Sequence, residues 1–221
     1  MTTDAATDLR QMTALGRAIE DDSFSIIDRE VGPHDHDRAE WEVVRRIIHA
    51  TADFEFKDTT RFGNDALASG SAALRRSAPI TVDVKMIRVG LNAARIVSFG
   101  CTLHDFIDDP DVIARARANA TTRAVESMRA AHAQNLIEGG IVAICNAPTA
   151  LLEIVRLHRE EGVRPALVLG MPVGFVNAAE SKELLMTTGI PYIITRGRKG
   201  GSTITVAALH ACMHVASGDL R

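Results

Sequence analysis

The segment TRGRKGGS at residues 195–202 concentrates groups that bind anions. Arg196, Arg198 and Lys199 precede two glycines, and Ser202 is predicted to cap the helix that follows. Cationic side chains beside the free N–H groups of a helix N-terminus favour a carboxylate or a phosphate. The spacing matches neither a Walker A nor a GxGxxG motif, so ATP and NAD are poor candidates. A solvated, charged turn is the competing interpretation.

A second group of reactive side chains lies in RRIIHATADFEF, residues 45–56. On a helix, Arg46 and His49 are three residues apart and share a face, with Arg45 beside them. This spacing directs a proton donor and a candidate carboxylate clamp toward one ligand. A helix C-terminus also favours a protonated imidazole. The competing interpretation is a histidine that packs against or caps the helix end.

The other histidines do not complete a metal site. His34 and His36 flank an aspartate in an acidic stretch, and His210 and His214 lie four residues apart on a predicted helix. Neither pair has the glutamate of HExxH or an obvious third ligand. We therefore expect no metal. A GxSxG nucleophile elbow is also missing from the sequence, which gives covalent catalysis little support.

Composition restricts the partners of this chain. Its 221 residues are 46% hydrophobic, enough for one sizeable core, and its formal net charge of -3 provides no basic field for nucleic acid or an anionic membrane. The N-terminus lacks the features of a signal peptide, and the longest apolar run, 166–176, is too short to span a bilayer. Three widely spaced cysteines outside any CxxC pair indicate reduced thiols and a cytoplasmic location.

The elements that must position these groups alternate from residue 80 onward. Short continuous apolar runs are separated by amphipathic segments, which predicts an α/β fold, a single domain with a mainly parallel sheet flanked by helices. Residues 1–12 are expected to be flexible and residues 13–221 to form the domain. The predicted strands are 80–83, 95–101, 140–145, 166–170 and 191–195, and the predicted helices are 38–50, 64–76, 111–135, 148–161 and 178–188.

Ligands of parallel sheets bind beyond the carboxyl ends of the strands, where three distinctive turns are predicted. In CNAPTA, Asn146 is a candidate N-cap and Pro148 suits the first helical position. In GMPVGFVNAAESK, Asn177 and Glu180 have the spacing of a capping box. The third turn is the cationic segment 196–202. We therefore expect the ligand site at this edge of the sheet.

Six segments in order along the chain together resemble the precorrin-8X methylmutase family. The motifs NAPTAL, GMPVGFV and GRKGGS are the most specific, and the segments span nearly the whole chain. They are AIEDDSFSIID (18–28), VVRRIIHATADFE (43–55), VDVKMIRVG (82–90), CNAPTALLEI (145–154), LGMPVGFVNAAESK (169–182) and RGRKGGSTITVAAL (196–209).

The resemblance implies an α/β fold, a homodimer, no cofactor and a corrin precursor as substrate. The family's catalytic histidine falls on His49, and its substrate-contacting serine falls on Ser23. Candidate substrate-binding residues in or beside the matched segments are Arg46, Asp83, Lys85, Arg123, Asn146, Arg198, Gly200, Gly201 and Ser202. Two departures are Cys145, where the family has glycine, and the acidic stretch at 34–37.

The implied reaction belongs to cobalamin biosynthesis. A methyl group moves from ring carbon 11 to ring carbon 12, which converts precorrin-8X to hydrogenobyrinate or cobalt-precorrin-8 to cobyrinate. His49, as an imidazolium, is expected to protonate or hydrogen-bond a ring nitrogen. The first alternative is a non-catalytic corrinoid-binding or carrier protein, because such a protein needs most of the same motifs. A weaker alternative is a nucleotide-binding α/β enzyme that uses the GRKGGS turn.

Overall fold

The computed structural model describes residues 13–218, so the predicted flexible segment 1–12 lies outside the described residues. No helix in the described range is long and apolar enough to cross a membrane. The helices are α1 Ala14–Val31, α2 Arg38–Thr51, α3 Phe56–Thr59, α4 Ala66–Arg75, α5 Lys85–Gly90, α6 Ala93–Ser98, α7 Pro110–Ala118, α8 Arg123–Ala133, α9 Pro148–Glu161, α10 Ala178–Met186 and α11 Ser202–Ser217. The strands are β1 Thr60–Gly63, β2 Ile80–Val82, β3 Leu103–His104, β4 Ile141–Ile144, β5 Leu167–Gly170 and β6 Tyr192–Thr195.

The six strands form one sheet in the order β1-β6-β5-β4-β2-β3. Only β1 pairs antiparallel, with β6, and the other described pairs are parallel. Successive residues of β4 enter opposite cores: Ile141 and Ala143 join the core beneath α2, α4 and α11, whereas Val142 and Ile144 join the core beneath α8, α9 and α10. The strands are therefore apolar on both faces, and the predicted fold class is confirmed.

Four of the five predicted strands are confirmed, and the one at 95–101 is wrong. That stretch forms α6 instead, because the Asn92 side chain caps the N–H groups of Ala94 and Arg95. The chain then turns at Gly100, which has a φ of 67°. The parallel pairing with β2 comes from Leu103–His104. Strand β1 was not predicted from the sequence.

The predicted helices differ in how closely they match the structure. The helix predicted at 38–50 is α2, and Asp37 and Glu40 form a capping box at its start. The helix predicted at 111–135 is wrong as one element, because Ala120 has a φ of 48° and Thr122 caps a new helix, α8. The helix predicted at 64–76 begins only at Ala66, after two residues in the left-handed region.

Two predicted N-cap positions are wrong, and a third is correct but lacks the predicted capping box. The N-cap of α9 is Ala147 rather than Asn146, although Pro148 does occupy the first turn as predicted. Asn177 begins α10 in a left-handed conformation, with a φ of 60° and no side-chain cap. The N-cap of α11 is Gly201, so Ser202 is the first helical residue. The start of each helix is thus shifted or left without a side-chain cap at these turns.

Candidate functional site

His49 lies in the last turn of α2, with its side chain exposed. The helix ends immediately afterwards, because Ala52 adopts a left-handed conformation with a φ of 54°. The imidazole ring is 5.1 Å from the ring of Phe24, centroid to centroid. Phe24 is buried in α1, so one side of the imidazole is supported by packing while the residue remains open to solvent. The exposed imidazole is therefore able to meet a ligand.

A groove of about 370 Å³ is lined at one end by Ala50, the residue that follows His49. Its walls come from the end of α2, from α5 and from the first half of α11, and they include Ala50, Met86 and Ser202. A Cβ atom on Gly90 would lie 2.8 Å from a methyl group of Val206, so glycine permits α5 to approach α11 closely. The groove thus joins the histidine end of α2 to the start of α11.

His210 forms part of the same groove wall. Its Nε2 accepts a hydrogen bond of 3.1 Å from the backbone N–H of Asn92, which assigns the ring proton to Nδ1. Burial, together with the positive charges of Arg95 and Arg46, lowers the pKa of His210 to about 4. The wall therefore presents a neutral imidazole near neutral pH. The sequence had suggested His210 only as half of an incomplete metal pair.

The backbone fixes the cationic loop 196–201 against the turn after β5. The N–H of Gly201 donates to the carbonyl of Met171 at 2.9 Å, so this donor is already occupied. A Cβ atom on Gly200 would lie 2.3 Å from the same carbonyl oxygen, which only glycine avoids. The first N–H groups of α11, from Ser202 to Ile204, precede the first intrahelical bond, which Thr205 donates to Gly201.

Lys199 connects this loop to the chain that follows His49. Its Nζ lies 2.7 Å from the carboxylate of Glu55 and also contacts Asp53. Hydrogen bonds to these carboxylates raise the pKa of Lys199, and the bond from Lys199 lowers the pKa of Asp53. Arg198, by contrast, is exposed, with its guanidinium 5.5 Å from the ring centroid of Phe175. The structure thus brings the two predicted reactive segments together.

Arg46 is already paired with acidic side chains. Its Nε donates to Glu42 at 2.5 Å and its Nη1 to Glu20 at 3.3 Å. The adjacent Arg45 contacts Glu42 at 2.7 Å and Asp28 at 3.1 Å. A carboxylate clamp at Arg46 therefore stays a prediction that requires a ligand to displace Glu20.

Lys85 and Arg123 meet at a different acidic residue, Asp108. The ammonium of Lys85 lies 2.6 Å from Asp108, and the guanidinium of Arg123 lies 3.6 Å from it. Nearby, Arg88 pairs with Asp105 at 2.7 Å. Lys85 directly precedes Met86 of the groove wall, which places this cluster at the α5 side of the groove. Both predicted cations are about half exposed and remain accessible to a ligand.

Asp83 has an internal role. Its side chain has no exposed surface, and it accepts hydrogen bonds of 3.1, 2.9 and 3.0 Å from the N–H groups of Cys145, Asn146 and Ala147. Burial raises the pKa of Asp83, although these bonds act in the opposite direction. Asp83 therefore supports the CNAP turn, and this geometry does not favour the predicted side-chain contact with a substrate. Asn146 is exposed on that turn.

The precorrin-8X methylmutase family model matches residues 18–215. The chain belongs to the precorrin-8X methylmutase family. A cobalt-precorrin-8 methylmutase of Leptospira interrogans is 54% identical and covers 95% of this chain and 98% of its own length. Another from Priestia megaterium is 46% identical, with 94% of this chain and 92% of the relative covered. The crystal structure of a precorrin-8x methyl mutase from Thermus thermophilus has a TM-score of 0.86 and 51% identity, covering 92% and 98% of the two chains.

The methylmutase family establishes the class of reaction. This chain is an isomerase of cobalamin biosynthesis that transfers a methyl group within one molecule. The resemblance inferred from the six sequence segments is confirmed, and so is the prediction of an enzyme rather than a carrier. The family match alone does not assign roles to individual residues of this methylmutase. Those roles depend on the geometry described above.

Ser23 of the methylmutase lies on α1 next to Phe24, whose ring packs against His49. The Ser23 hydroxyl donates to the carbonyl of Ile19 at 2.8 Å, so its oxygen can still accept a hydrogen bond. Ser23 directly precedes the residue that packs against the imidazole, and its contact with a substrate stays a prediction.

The histidines outside the groove have other partners. His34 stacks on Trp41 at 4.0 Å, and His36 donates to the carbonyl of Lys57 at 2.9 Å. His214 is buried beside Glu42 at 3.8 Å. Residues 13–218 contain no group of three or more His, Cys, Asp or Glu side chains suited to a metal. A depression of about 500 Å³ near His34 and Arg61 includes none of the predicted site residues.

Proposed function

We propose that this methylmutase moves a methyl group from ring carbon 11 to ring carbon 12 of a corrin precursor, with His49 as proton donor. The observation that carries this proposal is the exposed imidazole at the end of α2, since the next residue, Ala50, lines a groove together with Ser202 at the start of α11. The substrate is precorrin-8X or cobalt-precorrin-8. The names of the two relatives at 54% and 46% identity support the cobalt-containing compound.

The groove and its surroundings suit a flat ring that carries several carboxylates. Met86, Val173, Phe175 and Val176 are exposed apolar side chains that offer a surface for the ring face. For the peripheral carboxylates, we propose contacts with cations and polar groups around the groove. The proposed contacts are Ser23, Lys85, Arg123, Asn146, Arg198, Gly200 and Ser202.

The proposed chemistry needs one proton and no external reactant. The imidazolium of His49 donates to a ring nitrogen, which withdraws electron density from the conjugated system. The bond from ring carbon 11 to the methyl group breaks as the bond to ring carbon 12 forms, and the proton then returns to His49. General acid assistance of this kind contributes about 10² to 10⁴ in rate.

The two imidazoles at this end of the molecule have different roles in the proposal. His210 has a pKa lowered to about 4, and its Nε2 already accepts a hydrogen bond, so it is neutral and fixed near neutral pH. His49 is exposed and has no comparable backbone bond among the described contacts. Proton donation is therefore assigned to His49, and His210 is assigned to the groove wall.

We also propose a cytoplasmic homodimer that uses no cofactor. Large apolar side chains are exposed on several elements, including Phe175 at 84% and Val89 at 81%, and a second copy would cover such surface. The three cysteines are buried and unpaired, which fits a reducing compartment. Light scattering should give about twice the chain mass of 23.8 kDa, and a mass of one chain would reject the dimer.

Multiple-turnover conversion of purified substrate tests the proposed reaction. The protein is mixed with a large excess of precorrin-8X or, separately, of cobalt-precorrin-8, and the absorbance spectrum and product are followed without any added cofactor. Conversion of many equivalents of one substrate to an isomer of unchanged mass is expected. Retention of a single equivalent of both compounds without conversion would reject the proposed function.

A further inference from the structure

Lys182 in α10 is completely buried, with 0% of its surface exposed. Its Nζ donates to the carbonyl of Gly197 at 2.9 Å and to the carbonyl of Lys199 at 2.7 Å. Both carbonyls belong to the cationic loop 196–201. Lysine is almost never fully buried unless an acidic group pairs with it, so this arrangement is not an ordinary packing solution.

Within residues 13–218, carbonyl groups rather than a carboxylate accept the hydrogen bonds of the Lys182 ammonium. Burial lowers the pKa of this ammonium to about 8, and it is the only influence that displaces this pKa appreciably. An apolar side chain of similar length would fill the same space without this desolvation cost. Packing alone therefore does not account for a lysine at this position. The two hydrogen bonds from its ammonium indicate that it acts on loop 196–201.

The two bonds decide which way the loop faces. Carbonyl oxygens repel an anion, and here the carbonyls of Gly197 and Lys199 point inward to the ammonium. The Thr195 hydroxyl donates to the same Lys199 carbonyl at 2.8 Å, and Gly200 packs directly against the backbone of Met171. The side chain of Arg198 on the same loop remains exposed to solvent.

We propose that Lys182 is a positioning residue for substrate binding. By holding the carbonyls of Gly197 and Lys199 inward, it keeps loop 196–201 in the conformation that presents Arg198 and the first N–H groups of α11 to a substrate carboxylate. This inference rests on the proposed function, because it assumes that the loop receives the substrate. It adds a residue that does not itself touch the ring.

Replacing Lys182 by methionine tests the proposal, since methionine has a similar length and makes neither bond. Lys57→Met is the matched control, because Lys57 is a partly exposed lysine on α3 whose ammonium pairs only with neighbouring Asp58 among the described contacts. Amide hydrogen exchange of residues 196–203 is measured in both full-length variants without substrate. We expect exchange to accelerate about tenfold in Lys182→Met and to stay unchanged in Lys57→Met.

Steady-state kinetics on the same samples connect the loop to the substrate. Lys182→Met is expected to raise KM about fivefold or more with kcat changed less than twofold. A purely structural role would instead lower the active fraction, and hence kcat, at constant KM. Should Lys182→Met fail to fold, Thr195→Val removes one of the two bonds to the Lys199 carbonyl and is expected to show the same effects at smaller size.

The outcomes separate this inference from the proposed function. Unchanged loop exchange in Lys182→Met, or in Thr195→Val if that variant is needed, overturns the positioning role. Faster exchange with an unchanged KM also overturns it, because the loop then does not receive the substrate, while turnover by His49 is unaffected. Absence of turnover in the wild-type protein rejects the proposed function, and the exchange data still decide whether Lys182 orders the loop.

Discussion

In the middle of α2, Glu42 is 2% exposed and is bonded to both Arg45 and Arg46, whereas His49, two turns further on, is exposed to solvent. Burial alone would raise the pKa of Glu42, but the charges of Arg46 and Arg45 outweigh it, and the pKa is lowered. The carboxylate is thus ionised and paired. The imidazole at the helix end has only Phe24 as an aromatic neighbour among the described contacts.

The difference between Glu42 and His49 indicates that polar residues of α2 have separate roles, some in holding the helix and one in meeting a ligand. The paired groups tie α2 to α1 through Glu20 and Asp28, and they approach His214 on α11. A buried pair contributes little net stability but is costly to break, so it fixes position. The end of α2 is held by this network and is free to present His49.

Removal of the imidazole should affect catalysis and leave folding intact. We expect His49→Ala to lower kcat by about 10² to 10⁴, roughly 3 to 5 kcal/mol of barrier, because the general acid is lost. Its unfolding free energy should change by less than about 0.5 kcal/mol, since the side chain is exposed. Stopped-flow absorbance and chemical denaturation measure the two effects.

A second histidine provides the matched control for His49→Ala. His132 on α8 is partly exposed and contacts Glu161 at 3.1 Å, away from the groove. His132→Ala should retain full turnover. Wild-type turnover in His49→Ala would end the assignment of His49 as proton donor.

Removal of the buried Glu42 carboxylate should lower stability, in contrast to removal of the His49 imidazole. Glu42→Ala removes the buried carboxylate that Arg45 and Arg46 share and leaves them only the longer contacts with Asp28 and Glu20. We therefore expect a loss of about 3 kcal/mol in unfolding free energy. Glu30→Ala, at an exposed position of α1, should change it by less than about 0.5 kcal/mol. Equal denaturation midpoints for the two variants would show that the network does not hold α2.

Protonation of His210 should make the unfolding free energy depend on pH. The pKa of His210 is lowered from 6.5 to about 4, so the unfolded chain binds more protons between these values. Stability from this group is complete above pH 6.5 and falls as the pH drops toward 4, by about 2 to 3 kcal/mol. Chemical denaturation gives the unfolding free energy of wild type and of His210→Gln across this pH range. The change of this free energy with pH should be smaller in the variant. Identical slopes would contradict the neutral, hydrogen-bonded state of His210.

The smallest expected effect is on binding at the exposed loop. Arg198→Ala should weaken substrate binding by about two- to fivefold, and the loss should shrink as salt increases. Arg196→Ala is the control, because Arg196 lies on the same loop but pairs with Glu183 at 3.0 Å. Equal Kd values for the two variants at low ionic strength would remove Arg198 from the proposed carboxylate contacts.

Much of the fold was readable from the chain because its signals are local. The capping box at Asp37 and Glu40, Pro148 in the first turn of α9 and the apolar runs of β4 and β5 depend on neighbouring residues. Predictions failed where a local signal competed with another. The stretch 95–101 has the apolar content of a strand, but the Asn92 cap and the turn at Gly100 make it a helix.

Ordered motifs along the chain were enough to predict the α/β order of elements and the family, and they indicated His49 as the candidate donor. Which polar groups are free depends instead on how the elements pack together. Arg46 meets Glu20 across 26 positions of the sequence, Asp83 accepts a hydrogen bond from the Asn146 N–H across 63, and Lys199 meets Asp53 across 146. Hydrogen bonds and charge pairing depend on distance in space, and folding sets that distance independently of separation along the chain.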